Sequence, residues 1–96
     1  MRKIEEVMLL AINHGKTYQV DNTRVEHGNV YLHNNKIAIV EKEYVRIFSC
    51  GWYTNTTKSR LNAILSSLCG VTIAQKKGIW YIGKDIFVEG MDVKRV

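Results

Sequence analysis

Proline is absent from the 96-residue chain, and cysteine occurs only at Cys50 and Cys69. Because no proline-rich or Gly/Ser-rich linker can be identified, residues 1–96 are predicted to form one small domain. Two cysteines cannot build a disulfide framework, so we expect free thiols, with Cys69 a small buried residue at a helix end. The three histidines have no spacing that suits a zinc site with these cysteines. The sequence therefore predicts no metal and no cofactor.

Long apolar runs are also missing. The longest, residues 7–12, is far too short to cross a bilayer, so no membrane contact is predicted. Arg2 and Lys3 are followed at once by Glu5 and Glu6, without a small-residue cleavage site. We therefore expect no secretory signal and a cytoplasmic protein.

Acidic residues are missing from the middle of the chain. The formal net charge is +5, and all charged residues from Arg46 to Lys84 are basic: Arg46, Lys58, Arg60, Lys76, Lys77 and Lys84. This segment also holds Trp52, Tyr53, Trp80 and Tyr81. Basic residues interleaved with aromatic ones favour an acidic partner, either nucleic acid or an acidic protein surface.

Residue patterns typical of catalysis are missing as well. Cys50 has no spacing that links it to a histidine, and carboxylates are too sparse in the second half for a paired-carboxylate or metal-dependent site. Neither a phosphate-binding P-loop nor a dinucleotide fingerprint is present. The chain is therefore predicted not to be an enzyme.

Hydrophobic periodicity predicts an α+β fold. A helix is expected over residues 2–13 and a second over 56–69, where Leu61, Ile64, Leu65 and Leu68 form one apolar stripe. Alternating β-branched and aromatic residues predict the strands 23–26, 29–33, 36–41, 44–49, 71–74, 79–82 and 85–89, while residues 92–96 are expected to fray. Short turns favour antiparallel pairing. The expected architecture is a single antiparallel sheet of about six strands with two helices packed on it, in the order α-β-β-β-β-α-β-β-β.

The start of the second helix is the first candidate site. Helix N-termini carry partial positive charge and usually attract Asp or Glu, but this one collects hydroxyls and cations. In the functional interpretation, hydroxyls and backbone amides hold a phosphate, cations add charge, and an indole offers a stacking surface. The predicted contact residues here are Trp52, Thr56, Thr57, Lys58, Arg60 and Asn62.

A structural interpretation of the same segment stays open. Thr54, Asn55 or Thr56 could simply cap the helix, with Trp52 closing the edge of the core and the cations solvated. A capping box is missing, because Ser59 lies where Glu or Gln would reciprocate for a Thr56 cap. That absence favours the functional interpretation.

The second candidate site is the hairpin containing Lys76, Lys77 and Trp80. A basic hairpin tip beside aromatic rings suits single-stranded nucleic acid, whose bases stack and whose phosphates meet lysines. Alternatively, the lysines form a solvated turn that protects a sheet edge, and one of Trp80 and Tyr81 belongs to the core.

Three blocks of the sequence resemble small bacteriophage accessory proteins. They are residues 22–25 (Asn-Thr-Arg-Val), residues 30–38 (Val-Tyr-Leu-His-Asn-Asn-Lys-Ile-Ala) and residues 51–62 (Gly-Trp-Tyr-Thr-Asn-Thr-Thr-Lys-Ser-Arg-Leu-Asn). The last is the most specific, with the pattern Gly-Trp-x-Thr-x-Thr-Thr-x-x-Arg-Leu-Asn, and the resemblance covers residues 22–82. It implies a phage origin and action in the host bacterial cytoplasm. It supplies neither a substrate nor catalytic residues.

Two functions of different classes follow. The leading hypothesis is a non-catalytic phage protein that binds nucleic acid or another phosphate-bearing ligand through both candidate sites. The rival is a protein-binding inhibitor of a host or defence enzyme, since aromatic residues and arginine also dominate protein interfaces. The chain is expected to be a monomer, or a homodimer that pairs through an exposed strand edge.

Overall fold

The structure is a computed structural model that describes residues 2–96. Two helices are formed, α1 (Lys3–His14) and α2 (Asn55–Leu68). The strands of the first half are β1 (Tyr18–Val20), β2 (Thr23–Glu26), β3 (Asn29–Leu32), β4 (Asn35–Val40) and β5 (Tyr44–Ile47). Those of the second half are β6 (Ile73–Lys76), β7 (Ile79–Ile82), β8 (Asp85–Ile86) and β9 (Met91–Lys94).

The larger sheet is an antiparallel meander that ends with the last strand of the chain. Its order is β1-β2-β3-β4-β5-β9, and β9 pairs with β5 through Tyr44–Lys94 and Ile47–Met91. The expectation that residues 92–96 fray is therefore wrong for most of that segment. Its ladder bonds to β5 and the half-buried Val93, packed against the core, hold it in place.

The smaller sheet, β6-β7-β8, stands apart from the meander. The predicted single sheet is thus two sheets, because β9 rather than β6 occupies the edge beside β5. At the β6–β7 turn, Lys77 and Gly78 have φ angles of 52° and 78°, which is the conformation of a tight two-residue hairpin. The α+β class and the antiparallel pairing are confirmed, and β1 is a strand that the sequence patterns missed.

The hydrophobic core lies between the larger sheet and the helices. α1 packs on β1 and β2, α2 packs on β4, and the two helices contact each other. The predicted stripe of α2 is buried, with Leu61, Ile64 and Leu65 completely covered. Within residues 2–96, neither helix is long and apolar enough to cross a membrane.

Candidate functional site

The first turn of α2 is capped from within the chain. Thr54 is the N-cap residue, and its Oγ1 accepts a hydrogen bond from the Thr57 amide at 3.2 Å. The hydroxyls of Thr54 and Thr57 also lie 3.0 Å apart, and Thr57 is buried. Thr57 therefore serves the helix cap, and its hydroxyl is not exposed to a ligand.

Arg60 is buried beside a carboxylate from α1. Its Nη1 donates to Glu5 Oε2 at 2.7 Å, and its Nε donates to Thr23 Oγ1 at 2.9 Å. Ser59 Oγ donates to the same Glu5 oxygen at 2.5 Å. With Arg60 only 4% exposed and Glu5 3% exposed, the predicted surface cation is an internal ion pair. This corrects the expectation that Arg60 is a surface cation that contacts a ligand.

The protonation of Glu5 follows from these contacts. Burial alone raises the pKa of the Glu5 carboxyl, but hydrogen bonds from Ser59 and Arg60 outweigh it and lower the pKa below its ordinary value. The carboxylate is thus held in its charged form. Buried ion pairs of this kind need every lone pair satisfied, and the backbone N–H of Arg2 adds a contact to the other Glu5 oxygen at 3.4 Å.

Lys58 lies on a different side of the helix from Arg60 and stays near the surface. Its Nζ donates to Gln75 Oε1 on β6 at 2.7 Å. Lys76 and Lys77 follow Gln75 directly and are exposed at the hairpin tip. The contact therefore places the Lys58 ammonium beside β6, the strand that leads into Lys76 and Lys77. We call Lys58, Gln75, Lys76 and Lys77 the basic edge.

Two further predicted contact residues have structural roles. Asn62 ties α2 to β6, since its Oδ1 accepts from the Ile73 amide at 2.6 Å. Trp80 is 2% exposed and packs edge to face against Tyr53, with ring centroids 4.9 Å apart. The alternative interpretation placed one of Trp80 and Tyr81 in the core, and the structure shows that this residue is Trp80. Tyr53, which the sequence did not single out as a contact residue, is 53% exposed and joins the loop to the smaller sheet.

A cleft with a volume of about 410 Å³ opens beside the start of α2. Its apolar lining comes from the buried Leu32 and Ile37 and from Trp52, which is 59% exposed. The polar lining residues are His33, Asn35, Ser49, Thr54, Thr56 and Thr57. Of the predicted site residues, the cleft thus gathers Trp52, Thr56 and Thr57. The β3–β4 hairpin residues were missed because nothing in their spacing marks them as neighbours of α2.

The loop between β5 and α2 is fixed by Glu89. The Glu89 carboxylate accepts from the Ser49 amide at 2.7 Å, from the Ser49 hydroxyl and from the Cys50 amide at 3.2 Å. Ser49 Oγ in turn accepts from the Gly51 amide at 3.1 Å. Partial desolvation of the thiol and the nearby Glu89 carboxylate raise the pKa of Cys50. Although the residue as a whole is exposed, its thiol is therefore a poor nucleophile. The hydrogen bonds to Glu89 hold the loop that positions Trp52.

Metal-binding geometry is not found in the described part of the chain, residues 2–96, where His, Cys, Asp and Glu form no group of three that could hold an ion. The side chains at the α2 start include lysine, hydroxyl, amide and aromatic groups.

The family was identified by comparison with known proteins. A family model described as Kyanoviridae Gp96 protein matches residues 1–94. No curated protein and no solved structure matches the chain. The match extends beyond residues 22–82 at both ends, and by itself it does not single out the block at residues 51–62. It confirms the predicted resemblance to phage proteins at that level: the chain belongs to the Kyanoviridae Gp96 protein family.

Proposed function

We propose that this phage protein is a non-catalytic accessory protein that binds nucleic acid, or another phosphate-bearing ligand, through the basic edge and the neighbouring aromatic loop. One observation carries the proposal. The contact of Lys58 Nζ with Gln75 Oε1 at 2.7 Å joins the α2 start to the β6–β7 hairpin, which are 17 residues apart in the chain. This contact supports treating the two candidate sites as one surface.

The charges of this surface are suited to phosphates. Lys58, Lys76 and Lys77 are not in any ion pair of the described residues 2–96, in contrast to Arg60, which Glu5 neutralises. Lysine side chains meet phosphate oxygens as mobile point charges and need no fixed pairing geometry. Binding through them is independent of sequence and depends on salt.

Aromatic rings border the strand that leads into Lys76 and Lys77. Tyr53 is half-exposed and contacts Trp80, whose strand neighbour is Gln75 of the basic edge. Trp52 precedes Tyr53 and is open to solvent on the cleft side. Exposed rings next to lysines are typical of surfaces that bind single strands, because bases stack while the backbone is neutralised.

The experiment is a salt titration of binding to a labelled single-stranded oligonucleotide, followed by fluorescence anisotropy. For three phosphates neutralised, the plot of log affinity against log salt has an expected slope of roughly −2. Changing Lys76→Gln together with Lys77→Gln should flatten this slope by more than one unit.

A matched control is available beside β5 and β9, at one edge of the larger sheet. Lys42→Gln with Lys94→Gln removes the same charge from residues that line a separate surface with Tyr44. This control should leave the slope unchanged. A flat salt dependence of the wild type, or equal effects of the two double variants, would refute the proposed function.

A specific feature favours a second candidate function, binding to a host or defence protein. The outward face of the smaller sheet exposes Ile79 and Ile86, at 46% and 57%. These residues line a groove of about 240 Å³ with Tyr53 and Trp80. An apolar side chain of a partner would fit this groove.

A pull-down from nuclease-treated host lysate separates the two candidates. A stoichiometric protein partner that survives nuclease and high salt, and that is lost on Ile86→Asp, supports the second. Loss of every partner on nuclease treatment supports nucleic-acid binding.

A further inference from the structure

We infer that the cleft beside α2 is a pocket for one unpaired base of a single-stranded nucleic acid, with Trp52 as its stacking wall. This inference deepens the proposed function and rests on it. The basic edge alone would bind any polyanion, whereas the cleft would distinguish strands that carry bases from those that do not.

The lining of the cleft matches the chemistry of a nucleobase. A base is planar, with apolar faces and an edge of hydrogen-bond donors and acceptors. Leu32 and Ile37 supply an apolar floor, and the indole of Trp52 is both part of the lining and 59% exposed. The volume of about 410 Å³ falls within the roughly 300–1,000 Å³ typical of small-molecule sites.

Some of the polar groups that line the cleft are already engaged, and others are suited to a base edge. Ser49 is already engaged by Glu89 and by the Gly51 amide, and Thr57 by the Thr54 cap. Asn35 and Thr56 add an amide and a hydroxyl, each of which can donate and accept. Base recognition in single strands uses this combination of stacking and edge contacts.

Charge around the cleft favours the same occupant. No Asp or Glu is among the lining residues that the structure describes. Lys58 follows the lining residue Thr57 directly and is the nearest cation to it in the sequence. An acidic peptide would meet the lysine too, but its carboxylates would gain nothing from the apolar lining.

The test compares two strands of equal length, an oligothymidine and a strand in which the bases are replaced by abasic sites. Both keep the phosphates that the basic edge binds. We expect the wild type to bind the base-containing strand at least about fivefold more tightly, the lower end for base–aromatic stacking. Trp52→Ala should remove that difference, and Trp52→Phe should retain most of it.

Val88→Ala is the matched control, because Val88 is 60% exposed and lies outside the cleft. It should leave the preference for bases intact. If the wild type binds both strands equally, or if Trp52→Ala weakens both strands by the same factor, the base pocket is refuted while phosphate binding stands.

Failure of the proposed function is recognised separately. If neither strand binds, phosphate binding is refuted, and the cleft is then tested with uncharged thymidine and adenosine in an NMR titration. Shifts of the Trp52 indole and the Ile37 methyl groups would support the pocket. Unchanged spectra at millimolar nucleoside would overturn it.

Discussion

Lys58 and Arg60 are two residues apart in the same helix, yet the structure uses them in opposite ways. Lys58 reaches outward to Gln75 at the edge of the smaller sheet, whereas Arg60 is 4% exposed and paired with Glu5. Two residues correspond to about 200° of helix rotation, so they face different neighbours. A count of cations in a sequence therefore overestimates the charge available to a ligand.

A similar contrast between buried and exposed side chains distinguishes the two sheets. The larger sheet faces the helices with fully buried residues such as Val45 and Ile47. The smaller sheet leaves Ile79 and Ile86 of its outward face exposed. The first region holds many of the fully buried residues, and the second, together with the basic edge, is where we propose that a partner binds. The following experiments test this division, from the largest expected effect to the smallest.

Breaking the buried ion pair should have the largest effect on stability. Arg60→Ala leaves the Glu5 carboxylate buried without its cation, and Glu5→Ala leaves the guanidinium in the same position. Removing one partner of such a pair costs about 3–5 kcal/mol in the free energy of unfolding. Urea denaturation followed by circular dichroism measures it.

The double variant Glu5→Leu with Arg60→Met is the control for the charge pair itself. Because it removes both buried charges and keeps similar volume, it should be much more stable than either alanine variant. Alanine variants within about 1 kcal/mol of the wild type would contradict the structural role given to Arg60.

Two matched isoleucines sharpen the contrast between the sheets. Ile47→Ala removes a fully buried side chain, so we expect a loss of about 2–5 kcal/mol in unfolding free energy. Ile86→Ala changes a residue that is 57% exposed and should cost less than about 1 kcal/mol. Equal losses in thermal or urea unfolding would mean that the smaller sheet is as firmly packed as the larger one.

The pH dependence of stability isolates Glu5. Its pKa is lowered in the folded state from an ordinary value of 4.5, so its contribution is present above that value and is lost as the pH falls through the folded pKa. Wild-type stability should therefore drop more steeply below pH 4.5 than that of Glu5→Gln. Parallel curves for the two proteins in acid would show that Glu5 does not titrate as the ion pair requires.

Replacing Lys58 should have the smallest effect on stability. Its hydrogen bond to Gln75 is exposed, so Lys58→Gln should change the unfolding free energy by no more than about 0.5 kcal/mol. The same variant should reduce the salt slope of oligonucleotide binding by about 0.7. A large loss of stability would place Lys58 with Arg60 among the structural residues.

Periodicity in the sequence predicted both helices and the order of most strands, because α2 and β2–β5 have regular apolar spacing. It missed β1, a strand of only three residues that pairs with the adjacent β2. It also missed β9, which is held by a distant strand, since Met91 pairs with Ile47. Local patterns contain no information on such partners. The division of the strands into two sheets was missed for the same reason.

The candidate site was predicted in outline but not in its details. The segment 51–62 does border a cleft, and Lys58 does lie next to the hairpin of Lys76 and Lys77. The burial of Arg60 could not be predicted, since Glu5 is 55 residues away and an acidic residue in the first turn of α1 already has a local explanation. In the sequence Leu32 and Ile37 have the pattern of ordinary core residues. Only the position of α2 shows that they also line the cleft.

Mapping the bound strand on the protein tests the central claim most directly. In a ¹⁵N NMR titration with a single-stranded oligonucleotide at low salt, shifts should be confined to the Trp52 indole, the β3–β4 residues that line the cleft, the first turn of α2 and the Lys76–Gly78 turn. The β4–β5 turn and the Arg60 surroundings should stay unchanged. Shifts centred on the β4–β5 turn, or no shifts at all, would contradict the assignment of binding to the basic edge and the cleft.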